Sequence, residues 1–130
     1  MAPRLLIVDD EPEACDLLRN VALDVGYDVV ATLRAEEFKV AFAGSDADAI
    51  VLDLTLPGTD GIELLNYLAE MGTRARILIV SGYDEGIRRM AYAIGAARGL
   101  DMVGVLPKPV RIAELRGLLV QFKADVREGR

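Results

Sequence analysis

Histidine is absent from this chain of 130 residues, which excludes histidine metal sites, histidine general bases and any Ser-His-Asp triad. Cysteine occurs once, at Cys15, so no internal disulfide can form and a reducing compartment is the simple reading. Cys15 falls on an apolar helical stripe and reads as a small core hydrophobe rather than a reactive thiol. No apolar run approaches the roughly 18 residues needed to span a bilayer. Met1-Ala2-Pro3-Arg4 leads almost at once into the first apolar run, leaving no room for a signal peptide. A cytoplasmic protein without a membrane partner is therefore expected. The net charge of −6 supplies no overall basic field for nucleic acid, so direct nucleic-acid binding is not expected.

What is present is an alternation. Hydrophobic residues make up 52% of the chain, enough for a two-sided core. Apolar runs of about five residues alternate with longer segments of helical spacing, the pattern of βα units and a mostly parallel sheet. The runs are continuous rather than alternating, as strands covered on both faces require. The first strand is Leu5 to Val8, and the first helix begins near Pro12, a residue suited to the first helical position, with Glu11 and Glu13 favouring the positive end of its dipole. Cys15, Leu18, Ala22 and Val25 should face the sheet, and Gly26 should cap the helix. Strands follow at about 27–32, 49–53, 76–81 and 102–106. Helices are predicted at 35–43, 62–71, 85–98 and 112–126. Phe38 and Phe42 share one face of the second helix. Leu64, Leu65 and Leu68 mark the third, Ile87, Met90, Ala91 and Ile94 the fourth, and Leu115, Leu118, Leu119 and Phe122 the fifth. Five βα units with right-handed crossovers give a doubly wound, flavodoxin-like α/β sandwich with a five-stranded parallel sheet in the order 2-1-3-4-5. One domain, residues 1–126, accounts for the chain, with 127–130 as a charged tail or the start of a linker.

The strand ends carry the chemistry. The first strand runs into Asp9-Asp10, the third into Asp53, the fourth into Ser81, and the fifth is followed by Pro107, Lys108 and Pro109. In an open parallel sheet these ends line up along one edge, where ligands bind. Each piece alone has an ordinary explanation: an Asp at a strand end is usually a helix cap, and a lone Lys is usually solvated. Together they place three carboxylates, a hydroxyl and an ammonium at one site. Two like charges about 4 Å apart repel by roughly 4 kcal/mol at an effective dielectric near 20, so three carboxylates call for a cation. Mg²⁺ suits them, being hard, oxygen-seeking and content with one or two protein carboxylates. A carboxylate beside such a cation and an ammonium is placed to attack phosphorus.

These motifs resemble the receiver (CheY-like) domain of two-component response regulators over residues 4 to 126. The carriers are Val8-Asp9-Asp10-Glu11-Pro12, Val51-Leu52-Asp53-Leu54-Thr55-Leu56-Pro57-Gly58 with Asp60-Gly61, Ile79-Val80-Ser81-Gly82, and Leu106-Pro107-Lys108-Pro109. The resemblance implies that Asp53 accepts a phosphoryl group from a histidine kinase or histidine phosphotransfer protein. It implies Mg²⁺ (Mn²⁺ as substitute) held by the carboxylates of Asp10 and Asp53 and the Thr55 backbone carbonyl, with Asp9 acting through water. Lys108 would contact the phosphoryl oxygens, Ser81 would swing toward them, and the Lys108-Pro109 bond would be cis. Such a chain is a signalling switch that catalyses only its own phosphorylation and dephosphorylation. A homodimer or an effector would use the face made by the fourth helix, fifth strand and fifth helix, which carries Arg88, Arg89, Arg111, Arg116 and Lys123; a merely solvated charged face is the plain alternative.

Two features depart from the family pattern. Val105 stands where an aromatic switch residue is usual, and the stretch from Ser81 to Lys108 is longer by roughly one helical turn, placed around Ile94 to Asp101. Thr55, two after the acceptor, is a position that tunes phosphoryl lifetime in the family, and Tyr83 is expected either to overhang the pocket or to be an ordinary exposed tyrosine. Val105 also keeps a second reading in view, a receiver-like interaction module that works without phosphate. An aspartyl-phosphate hydrolase would need an Asp where Thr55 stands, and no Gly-rich loop follows the first strand to take a nucleotide or flavin.

Overall fold

The apolar runs become five strands of one parallel sheet in the computed structural model, which describes residues 2–58 and 60–127. They are β1 (Arg4–Val8), β2 (Asp28–Thr32), β3 (Ala49–Asp53), β4 (Arg76–Ser81) and β5 (Asp101–Pro107). The helices are α1 (Pro12–Val25), α2 (Ala35–Ala43), α3 (Asp60–Met71), α4 (Glu85–Ala97) and α5 (Ile112–Arg127). The strand order is β2-β1-β3-β4-β5, as the alternation predicts. Of the expected tail, Arg127 closes α5, and 128–130 lie outside the described residues.

Successive strand side chains point to opposite faces, so each central strand feeds two cores. Leu6, Val8, Ile50, Leu52, Ile77 and Ile79 pack with Phe38 of α2, Leu64, Leu65 and Leu68 of α3 and Ala91 of α4. Leu5, Ile7, Val51, Leu78 and Val80 pack on the other side with Cys15, Leu18, Val21 and Ala22 of α1 and Leu115, Leu119 and Phe122 of α5. Burial on both faces is what unbroken apolar runs require.

Helix faces depart from expectation in small, explicable ways. In α1, Val21 is buried and Val25 only partly so, because the last turn runs past the sheet toward Gly26 (φ 108). In α4, Met90 is 55% exposed, while Gly95 is buried. The inward stripe there is Ile87, Ala91 and Gly95, spaced by four, and a Cβ on Gly95 would stand 2.6 Å from Met102 Sδ. Leu118 is only partly buried in α5. The segment expected to hold extra residues is the end of α4, a turn at Gly99 (φ 86), buried Leu100 and the first residue of β5. There Ile77 pairs with Met102 but Leu78 with Gly104, so Val103 bulges from the ladder. Helix α3 starts at Asp60, two residues earlier than its apolar stripe suggests, with Asp60 and Glu63 in its first turn.

The register sets the strand ends nearly flush. Val8 pairs with Leu52, Asp53 with Val80 and Ser81 with Pro107. The polar residue following each run thus emerges along one edge of the sheet.

Candidate phosphoacceptor site

At the end of β1, the Asp9 amide donates to the Thr32 carbonyl (3.1 Å), extending the ladder by one bond. Asp9 is fully buried, and its Oδ1 accepts from the Glu11 amide (3.0 Å), a tight turn that aims the chain into α1. Asp10 is exposed at the mouth. Asp53, at the end of β3, is fully buried. Its Oδ1 accepts from the Thr55 amide (2.8 Å) and the Thr55 hydroxyl (2.5 Å), and its Oδ2 from Lys108 Nζ (3.1 Å).

Lys108 is anchored by its amide, which donates to the Ser81 carbonyl at 2.8 Å, and the Lys108-Pro109 peptide is cis. The ammonium also donates to Glu11 Oε1 at 2.8 Å. Asp9 Oδ2 lies 2.9 Å from the same nitrogen as an ion pair but outside hydrogen-bond geometry, and no other donor among the described residues reaches it. Ser81 is fully buried, and its hydroxyl accepts from the Tyr83 amide (2.9 Å). No hydrogen bond joins Ser81 to Asp53 among the described residues.

One oxygen each from Asp9, Asp10 and Asp53 falls within 4.8 Å of the others. With Glu11 they carry four negative charges against the single positive charge of Lys108. The buried, undonated Asp9 Oδ2 and this excess of carboxylate fit a hard divalent cation. A cavity of about 800 Å³ opens above the cluster, bounded by Asp10, Glu11, Thr55, Tyr83 and Lys108, with Leu17 and Val110 as an apolar wall. Tyr83 lines that cavity and is 38% exposed.

Burial pushes the Asp9 carboxyl up to about 6, helped by the Asp53 charge and opposed by the Glu11 amide and Lys108. Burial also raises Asp10, again with Asp53 contributing. For Lys108 burial works against the charge, but the contacts with Glu11 and Asp9 and the charge of Asp53 prevail and raise its pKa. Burial lifts the Cys15 thiol to about 11, and its sulfur faces the Thr32 carbonyl at 3.7 Å, consistent with an unreactive core residue.

The Asp9 shift has a definite sign. A carboxyl whose folded value, about 6, exceeds its unfolded 3.8 contributes stability below 3.8 that is lost as pH rises through 6. Chemical unfolding in chelator should therefore show Asp9→Asn gaining on wild type from about pH 4 to 6, then holding a constant lead. A difference that is flat across this window would contradict the burial argument.

Sequence reasoning missed two contacts. Glu11 reads only as favouring the helix dipole, yet its carboxylate is the nearest partner of the Lys108 ammonium. Thr55 was expected to act through its carbonyl, yet its side chain and amide both hold Asp53. The charged face also needs correction. Arg116 pairs with Asp24 of α1, and Lys123 donates to the Val25 carbonyl (3.0 Å), so both tie α5 to α1 rather than facing α4. Arg89 pairs with Glu85 (2.8 Å), Arg111 with Glu114 (3.8 Å), and Arg88 donates to the Tyr83 carbonyl. Val105 is partly buried in a groove with Tyr92, whose hydroxyl donates to the Met102 carbonyl at 2.8 Å.

Five parallel strands, helices on both faces and an acid–lysine cluster at the carboxyl edge define a receiver-type switch. A family model described as the response regulator receiver domain matches residues 5–120, and the chain belongs to that family. It is 33% identical over 129 residues to the response regulator MprA of Mycobacterium bovis, covering 96% of this chain and 54% of that protein. It is 31% identical over 112 residues to the transcriptional regulatory protein AruR of Pseudomonas aeruginosa, covering 82% and 44% respectively. The chain thus spans about half the length of these curated relatives. A solved response regulator from Colwellia psychrerythraea superposes with a TM-score of 0.83 at 29% identity, over 95% of this chain and 98% of that one. A CheY-like receiver domain protein from Methanospirillum hungatei shares the fold, with a TM-score of 0.78 at 23% identity over 98% of this chain and 99% of that one. Among the described residues, no helix is long and apolar enough to cross a membrane.

Proposed function

We propose that residues 1–126 form a cytoplasmic receiver in which Asp53 takes a phosphoryl group from a histidine kinase or histidine phosphotransfer protein, and that the resulting change of conformation regulates a partner or an output domain. The observation that carries this reading is the convergence of Asp9, Asp10, Asp53 and Lys108, from three separate strand ends, in one cluster. In the transfer, an electron pair on an Asp53 carboxylate oxygen forms the O–P bond while the donor's N–P bond breaks. The departing imidazole keeps the pair of the broken N–P bond and is protonated from solvent. Lys108 offsets charge on the phosphoryl oxygens. Thr55, through its amide and hydroxyl, orients the Asp53 carboxylate. Asp10 and Asp53 would hold Mg²⁺ (or Mn²⁺) with the Thr55 carbonyl and, through water, Asp9. The bound ion supplies neutralisation of phosphoryl charge.

After transfer the Ser81 hydroxyl leaves the Tyr83 amide for the phosphoryl group. The signal passes to the face of α4, β5 and α5, as an effector site or a homodimer contact. The domain acts on no other substrate and binds neither nucleic acid nor membrane itself. Val105 favours one competing reading, a phosphate-independent interaction module, because a small β-branched side chain cannot make the swing of an aromatic ring.

The test is intact-mass measurement after incubation with Mg²⁺ and acetyl phosphate. One added phosphate on wild type and none on Asp53→Asn are expected. Equal labelling of the two proteins, or none on wild type, would sink the proposal. Partner affinity unaffected by labelling would favour the competing module.

A further inference from the structure

Asp53 is fully buried although the proposed function requires it to meet a phosphodonor, and the group standing on its Oδ2 is the Lys108 ammonium. That ammonium also donates to Glu11 Oε1 at 2.8 Å, shorter than its 3.1 Å bond to Asp53. The Lys108 side chain is only 13% exposed, whereas that of Glu11 is 64% exposed and borders the open cavity. The Glu11 backbone is fixed in turn by the hydrogen bond that its amide donates to Asp9 Oδ1, so this carboxylate is placed by the same turn that forms the acidic cluster.

Resting on the phosphoacceptor reading of Asp53, we propose that Glu11 is a positioning residue: its carboxylate latches Lys108 over Asp53 in the unphosphorylated protein and slows entry of anionic phosphodonors. The latch acts in two ways. Glu11 competes with an incoming phosphoryl group for the same ammonium, and its charge at the mouth repels a dianionic donor. An acid that only started α1 would not compete for Lys108.

Acetyl phosphate is the probe. Its acyl O–P bond breaks with the electron pair leaving on acetate, while an Asp53 oxygen forms the new O–P bond, and no proton is required. Glu11→Gln keeps length and shape but removes the charge. We expect it to take up phosphate about three- to fivefold faster than wild type at low ionic strength, the range set by one half-exposed ion pair. The gain should shrink as salt is added. Glu13→Gln is the comparison, because Glu13 lines the same cavity without bonding Lys108. It should accelerate uptake little.

A second measurement needs neither metal nor phosphate. The Lys108 ammonium signal in proton–nitrogen spectra of the metal-free protein should broaden in Glu11→Gln through faster exchange with water, and persist in Glu13→Gln. An unchanged uptake rate with an unchanged ammonium signal would overturn the latch, as would equal acceleration by the two variants. Were wild type to take no phosphate at all, the phosphoacceptor reading would fall first, and the ammonium spectrum would still decide whether Glu11 restrains Lys108.

Discussion

Lys108→Met should cost the metal-free protein about 3 kcal/mol of unfolding free energy at neutral pH, the lower end of what breaking a buried ion pair does. Lys108 lies within 3.1 Å of oxygens on Asp9 and Asp53, both fully buried, so its removal strands two carboxylates without a cation. The lower end applies because Asp9, with its carboxyl near 6, can take up a proton as relief. Urea unfolding in chelator measures the loss. Added Mg²⁺ should then stabilise the variant more than wild type, since a ligand that binds the folded state stabilises it and the variant has the greater unmet negative charge. Phosphate uptake from acetyl phosphate should fall by about a hundredfold, the usual effect of removing one group that offsets developing charge. An unfolding free energy within about 1 kcal/mol of wild type would mean that the ammonium does not balance the acids.

The second large effect concerns no charge at all. Gly61 lies at the start of α3, where a Cβ would stand 2.4 Å from the Leu54 carbonyl oxygen and 2.9 Å from Leu54 C and Cα. Every one of these atoms is backbone, so no side chain can swing away, and Gly61→Ala must displace either the helix or the loop after Asp53. We expect a loss of about 3 kcal/mol, the upper range for overpacking. Weaker phosphate uptake should accompany it, because Leu54 links Asp53 to Thr55. Gly117 provides the contrast. It is exposed on α5, with no neighbour among the described residues within 4 Å of an added Cβ. Gly117→Ala should therefore stabilise by about 0.5–1 kcal/mol through helix propensity. Thermal and urea unfolding of the two variants should move in opposite directions, and a common direction would contradict the packing argument.

The site was legible in the sequence because its parts sit at the ends of apolar runs. Once Leu5–Val8, Ala49–Asp53 and Ile77–Ser81 read as parallel strands, the sheet edge gathers Asp9, Asp53 and Ser81 without further information. Lys108 followed from the fifth run in the same way. What escaped were contacts set by turns and by helix rotation. The Asp9–Glu11 turn swings the Glu11 carboxylate back to Lys108, which a reading of Glu11 as a helix-dipole residue does not foresee. Periodicity suggested Met90 as a core residue, but the close approach of Gly95 to Met102 turns α4 so that Met90 faces outward. Arg116 and Lys123 were placed by their helix alone, and their orientation toward α1 depends on the packing of α1 against α5, which no single-segment pattern carries.

The spacing of the cluster along the chain has a consequence for biosynthesis. Glu11 and Asp53 precede their shared ammonium by 97 and 55 residues. A growing polypeptide therefore holds every acid of the centre before the ribosome has added the one cation that quiets them. Until β5 docks beside β4, Lys108 cannot reach those acids, and the cluster lacks the one ammonium that balances it.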